Sequence, residues 1–169
     1  MKKIKKALKY ICIGMVLLVG FMFLNNTSLF MDKENSEPKL LAHRGVHQTF
    51  SMDEIKWDSC TAERIYEPEH SYIENTVSSM EEAFRLGADV VELDVHPTTD
   101  GEFAVFHDWT LECRTDGEGV TREHTMEELR QLDVGYGYTA DGGKTYPFRG
   151  KGVGLIPTLG EVLEQFPDK

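Results

Sequence analysis

Several residue classes are scarce in this 169-residue sequence at the places where they would be diagnostic. There is no low-complexity tract and no internal repeat, so fibrous and solenoid architectures are excluded. Cysteine occurs only at positions 12, 60 and 113, without the spacing of a metal-ligand set, which argues against a zinc or iron–sulfur module. The chain also lacks a phosphate-cradling glycine loop. Gly142-Gly143-Lys144 and Gly150-Lys151 have neither the required spacing nor the following Ser or Thr, so nucleotide hydrolysis is disfavoured. Acidic residues are absent before Asp32, whereas Lys2, Lys3, Lys5, Lys6 and Lys9 all fall there. Beyond them the imbalance reverses. The remaining 13 basic residues face 29 acidic ones, a formal charge of −16 over residues 32–169. A surface that acidic repels nucleic-acid phosphates, and no nucleic-acid partner is expected.

The one long apolar run is Tyr10 to Leu24, directly after the lysines, and no charge follows until Asp32. Fifteen strongly apolar residues fit a signal-peptide core, and the neutral residues 25–31 lengthen the stretch toward the roughly 20 that span a bilayer. No small-x-small cleavage site follows Leu24, and no lipoprotein site precedes Cys12. Residues 10–31 therefore read as a single-pass signal anchor, a cleaved signal peptide being the alternative. In both cases the basic segment 1–9 stays cytoplasmic and the acidic body is extracytoplasmic. An oxidising location permits a Cys60–Cys113 disulfide, although the sequence leaves two free thiols equally open.

Residues 32–38 read as a polar linker, and the body occupies 39–169. Lys39–His43 predicts a short buried strand, and residues 46–73 a long irregular loop. Asn75 or Thr76 predicts the cap of a helix through Leu86, stopped by Gly87. Strands are expected over Asp89–Val95 and Glu102–His107, joined by the turn at Asp100-Gly101. Thr125-x-x-Glu128 and Thr158-x-x-Glu161 are capping boxes opening two further helices, with a glycine-rich loop at 135–156 between them. This order predicts an α/β fold with a parallel sheet of about three core strands.

Glu92 and Asp94 are two apart in a strand, which places both carboxylates on one face. Two carboxylates held together repel unless a proton or cation intervenes, and a hard divalent ion, Ca2+ or Mg2+, resolves that repulsion. An isolated Glu-x-Asp pair is common on solvated strands, so context decides. His43-Arg44 closes the first expected strand and His107-Asp108 the third. The C-terminal edge of such strands is where α/β active sites are built. Arg44 offers a planar fork for a phosphate oxygen, and His43 and His107 offer a general acid and base. The chemistry implied is phosphodiester cleavage.

His43-Arg44-Gly45, Glu74-Asn75-Thr76, Gly87-Ala88-Asp89 leading to Glu92-Leu93-Asp94, and Asp100-Gly101 through His107-Asp108 resemble, in order, the signature of glycerophosphodiester phosphodiesterases. Pro157-Thr158-Leu159 continues the resemblance, which covers roughly residues 39–167. It implies a TIM-barrel phosphodiesterase fold and hydrolysis of a glycerophosphodiester to glycerol phosphate and an alcohol. His43 and His107 take the acid/base positions, Arg44 the phosphate-binding one, and Glu92 and Asp94 those of ligands to one divalent cation. Glu74 matches an acidic residue near that cation and is a further candidate ligand. Two departures stand out. Glu74 follows His43 by 31 residues, where the family has a short loop, so the loop carrying Trp57, Cys60 and Tyr66 is expected to reshape the pocket. A further glutamate ligand and the later strands fall beyond Lys169. The expectation is thus a barrel truncated to about its first three strands, preceded by one transmembrane helix and poorly active alone. Two other readings stay open: a phospholipase C- or D-like barrel acting on intact lipid, and a membrane-tethered pseudoenzyme fragment.

Overall fold

The structure, a computed structural model, describes residues 2–27 and 37–169. It divides into two units, Met1–Pro38 and Lys39–Lys169. The first contains helix α1, Lys2–Asn26. Its stretch Lys3–Asn26 is long and apolar enough to cross a membrane, at about 1.5 Å per residue. The helix begins inside the lysine cluster, earlier than residue 10, and ends at Asn26. Residues 28–31 of the expected anchor and 32–36 of the expected linker lie outside the described residues.

In the second unit, β1 (Leu41–His43) pairs in parallel with β2 (Val90–Glu92), with Ala42 opposite Val91 and His43 opposite Glu92. Helix α2 (Val77–Arg85) makes the crossover between them. Thr76 is extended and its hydroxyl accepts the Ser79 N–H, which satisfies a donor that the first turn leaves unpaired. Gly87, at φ 100°, turns the chain out of the helix where a side chain would be strained. Met80 on the buried face of α2 packs with Val105 and Val162, against Val91 and Leu93. Burying each such side chain contributes roughly 1.5–3 kcal/mol.

The expected single strand over Asp89–Val95 is instead two. β2 stops at Glu92, and β3 (Val95–Pro97) pairs antiparallel with β4 (Phe103–Val105) through the turn at residues 98–101. The break has a local cause. The backbone N–H of Asp94 is taken by the side chain of Asn75 at 3.2 Å, and its carbonyl by Phe106 N–H at 3.0 Å. Leu93-Asp94 therefore leaves the β1 ladder. The expected three-stranded parallel sheet is replaced by two two-stranded sheets, one parallel and one antiparallel. The first and third expected strands are also shorter than predicted, 41–43 and 103–105. Both capping boxes are present, opening α3 (Met126–Arg130) and α4 (Leu159–Gln165).

The larger core is built mostly by segments between the regular elements, with β4 and α3 contributing beside them. Ala62, Ile65 and Ile73 from the long loop join Ala104 and Phe106 from β4 and its extension. Leu111, Met126, Leu129, Val134, Tyr138, Phe148 and Ile156 complete it. The segments read as irregular loops thus supply much of the buried apolar surface. Gly137 belongs to this arrangement: a Cβ there would collide with the Cys113 carbonyl.

Candidate active site

The parallel register of β1 and β2 sets His43 beside Glu92, His43 Nε2 lying 3.8 Å from Glu92 Oε2. The chain then reverses through Arg44, whose φ of 60° is a left-handed conformation that costs a non-glycine residue of order 1 kcal/mol. Neighbours hold it there. Arg44 N–H donates to the Glu92 carbonyl at 2.9 Å, and its carbonyl accepts Asn75 N–H at 3.0 Å. Asn75 is itself left-handed, at φ 57°, and its amide clamps Asp94 through Nδ2–Oδ2 at 3.1 Å. Gly45 follows because a Cβ there would meet Ser79 and the start of α2.

Arg44 stands among the three candidate ligand carboxylates. Its Nη1 donates to Glu74 Oε1 at 2.9 Å, its Nε lies 3.0 Å from Asp94 Oδ2, and its backbone N–H reaches Glu92 Oε2 at 3.3 Å. The Nε contact lacks hydrogen-bond alignment, which leaves a buried donor unsatisfied. From Glu74 the charges continue in one line. Glu74 Oε2 accepts Arg114 Nη1 at 3.1 Å, Arg114 Nε lies 3.0 Å from Asp108 Oδ2, and His107 Nδ1 meets Asp108 Oδ1 at 2.5 Å. Arg44, Glu74, Arg114, Asp108 and His107 form an alternating ladder that joins two residues assigned by the sequence, Arg44 and His107.

Arg114 is 3% exposed, so its charge must be met within the chain, although its Nε contact with Asp108, like that of Arg44 Nε, lacks hydrogen-bond alignment. Besides the two carboxylates it donates to Tyr138 Oη at 2.8 Å and to Thr61 Oγ1 at 2.7 Å. Burial alone would push the Glu74 carboxyl up. The Arg114 and Arg44 guanidiniums outweigh it and hold Glu74 below the usual carboxylate range. Burial likewise opposes the Asp108 charge, and the hydrogen bond from His107 together with Arg114 brings it down. Both therefore stay ionised at neutral pH. With the Nδ1–H of His107 committed to Asp108, its Nε2 is the nitrogen without a protein partner among the described residues. The backbone of His107 is fixed too, its carbonyl accepting from His96 Nε2 at 3.2 Å.

His43, Arg44, Glu74, His107, Asp108 and Arg114 line one cavity of about 240 Å³. Its remaining lining comes almost wholly from the long loop: His47, Phe50, Ile55, Lys56, Trp57, Ser59 and Thr61. Cys60 and Cys113 form a disulfide, with Cα atoms 5.6 Å apart, which ties that loop to the residue preceding Arg114.

A cation site was tested on the donors present. Glu74 has both oxygens engaged by arginines, whereas Glu92 Oε1 and Asp94 Oδ1 carry no protein partner among the described residues. Among those residues no three His, Cys, Asp or Glu side chains are grouped to hold a metal by themselves. Two open carboxylate oxygens suit a hard ion such as Mg2+ or Ca2+, which takes its other ligands from water or substrate phosphate.

The sequence singled out six residues here, and the structure brings all six around Arg44 and the cavity. It missed Arg114, Tyr138 and Thr61 and gave Asp108 no role. The one available signal was the position of Arg114 directly after a cysteine. Burial of that arginine depends on residues 24 to 53 positions away.

The model of the glycerophosphoryl diester phosphodiesterase family matches residues 43–169. The glycerophosphodiester phosphodiesterase of Caldanaerobacter subterraneus subsp. tengcongensis is 44% identical over 96 residues, 57% of this chain and 36% of that protein. That of Bacillus subtilis is 39% identical over 104 residues, 60% of this chain and 32% of its own length. The chain thus spans about a third of the curated relatives it matches. Among solved structures, the glycerophosphoryl diester phosphodiesterase domain of a Mycobacterium tuberculosis protein superposes with a TM-score of 0.54 at 26% identity. That superposition covers 76% of this chain and 40% of the other.

Proposed function

We propose that this chain, which belongs to the glycerophosphoryl diester phosphodiesterase family, supplies the acid/base and phosphate-binding face for hydrolysis of a glycerophosphodiester to glycerol phosphate and an alcohol. The observation that carries the reading is the ladder from Arg44 to His107, opening on one cavity with His43. Arg44 has a spare donor, Nη2, for a phosphoryl oxygen, since its Nη1 is held by Glu74. One histidine takes the proton of the attacking oxygen and the other delivers a proton to the departing alcohol oxygen. In His107 the exchanging atom is Nε2, because Asp108 holds the other nitrogen. Glu74 keeps Arg44 and Arg114 in fixed relation, which spares reorganisation during the reaction.

Glu92 and Asp94, with Glu74 behind them, would hold one divalent cation, Ca2+ or Mg2+. When bound, it neutralises charge building on the phosphoryl oxygens. The apolar helix and the lysines in its first turns support a single-pass anchor with the acidic unit outside the cytoplasm. The TIM-barrel fold of the solved relatives is the frame in which the proposed face works, and turnover is assigned to that frame.

Release of glycerol 3-phosphate from glycerophosphocholine, with added Ca2+ or Mg2+, tests the assignment in this chain and, by transfer to matching positions, in a full-length relative. H107A is expected to lower kcat by about 10²–10⁴-fold, and E92Q to raise the cation concentration needed. Unchanged kcat in H107A overturns the acid/base assignment. Cation binding by this chain without turnover favours the non-catalytic reading.

A further inference from the structure

The long loop brings a different set of groups to the cavity from the floor beneath it. On the floor, Glu74 and Asp108 offset Arg44 and Arg114 in direct contact. On the loop side stand Phe50, Ile55, Lys56, Trp57, Ser59 and Thr61. The tip of that loop is acidic in sequence, with Asp53, Glu54 and Asp58 around a single lysine. None of those three acids lines the cavity, whereas Lys56 does. The Lys56 ammonium has no partner among the described residues; the residue bonds only through its backbone, its N–H donating to Ser59 Oγ at 2.8 Å and its carbonyl accepting Ser59 N–H at 3.1 Å. Trp57 beside it is 96% exposed, a large apolar surface left open at the rim of a site.

The tip is built to hold this display. Ile55 N–H closes a turn on Met52, and Ser59 N–H another on Lys56. Phe50 bridges to Ile65, and Cys60 fastens the far end to Cys113. The acidic surface elsewhere would repel an anion, so a lone cation and an open indole at the mouth are a selective feature rather than a general one.

We infer that Lys56 and Trp57 form the subsite for the departing alcohol and select diesters whose alcohol is bulky and negatively charged over those whose alcohol carries a quaternary ammonium. Lys56 meets the charge, and Trp57 with Ile55 covers the non-polar face of the group. The inference rests on the phosphodiesterase reading above. It adds a substrate class that the floor does not specify, because the floor contacts only what all glycerophosphodiesters share.

The test compares glycerophosphocholine, glycerophosphoglycerol and glycerophosphoinositol 4-phosphate with the full chain and its K56A, K56E and W57A forms. Affinity is measured by calorimetry, and kcat/KM wherever product is released. All three substitutions alter exposed loop positions, and unchanged circular dichroism controls for folding. The expected wild-type order is inositol phosphate, then glycerol, then choline. K56E is expected to swing the preference between the anionic and choline diesters by roughly tenfold, and W57A to weaken the inositol phosphate diester most. A K56E effect equal for all three diesters overturns the inference, since Lys56 would then serve the shared phosphate. So does a wild-type preference for the choline diester. If no form binds or cleaves any of the three, the phosphodiesterase reading itself fails, an outcome distinct from loss of selectivity alone.

Discussion

The cavity has a floor and a wall, and the two are made differently. The floor residues Glu74 and Arg114 are 8% and 3% exposed, and each ion meets a partner of opposite sign within about one hydrogen-bond length. The wall residues Lys56 and Trp57 lie in the open and contact little of their own chain. Buried charges are tolerated only when paired, so the floor fixes its geometry at the expense of freedom to vary. An exposed loop tip carries no such requirement, and its side chains are free to follow the substrate. On the proposed reading, the contrast separates two tasks: holding the reacting geometry and choosing the leaving group.

Breaking the floor at its centre has the largest expected effect. In R114M, buried Glu74 and half-buried Asp108 lose their common partner. Removing one side of a buried ion pair costs about 3–5 kcal/mol. The measurement is the denaturant midpoint of the whole chain, and R114K should recover only part of the loss. A single ammonium cannot reach Glu74, Asp108, Tyr138 and Thr61 together as the guanidinium does. If R114M unfolds at the wild-type midpoint, the floor is not held by this ladder.

The disulfide is the seam between the two regions and gives the next effect. It closes a separation of 53 residues, for which unfolded-chain entropy predicts a stabilisation of about 4 kcal/mol, with about 2–4 typical in practice. C60S/C113S should lower stability by that order. It should also loosen the wall more than the floor, because Arg114 keeps its carboxylates while Thr61 loses its tether. Hydrogen exchange that rises over residues 50–61 and stays slow at Thr115, whose N–H donates to the Leu111 carbonyl, would sharpen the comparison. A uniform rise would erase it.

Legibility in the sequence followed the same division between local and distant causes. Thr125 and Thr158 are legible as caps, and Thr76 as one of two candidates beside Asn75, because a cap depends on residues three positions away. The ordered motifs carrying His43, Arg44, Glu74, Glu92, Asp94 and His107 were legible for a related reason: each sits at the end of a short element with a recognisable neighbour. The break at Leu93-Asp94 was not, since it is imposed by Asn75, 19 residues earlier. The disulfide stayed open because no spacing encodes a distance. Arg114 was invisible because its burial comes from loops whose apolar residues show no helix or strand period, although they build the main core.

The smallest effect is also the one that separates wall from floor most cleanly. Exposed substitutions away from caps, cores and buried pairs typically shift stability by no more than about 0.5 kcal/mol. Trp57 is 96% exposed, and Lys56 uses only its backbone to shape the tip. W57A and K56A should therefore melt within about 1–2 °C of the wild type, by the usual relation between stability and melting temperature in domains of this size. The backbone turns at Met52–Ile55 and Lys56–Ser59 remain available to both variants, so the tip should keep its shape. A W57A loss as large as that of R114M would mean that the indole is structural, and the separation of tasks would fail. Near-identical melting combined with altered preference among diesters would instead assign the wall to substrate selection alone.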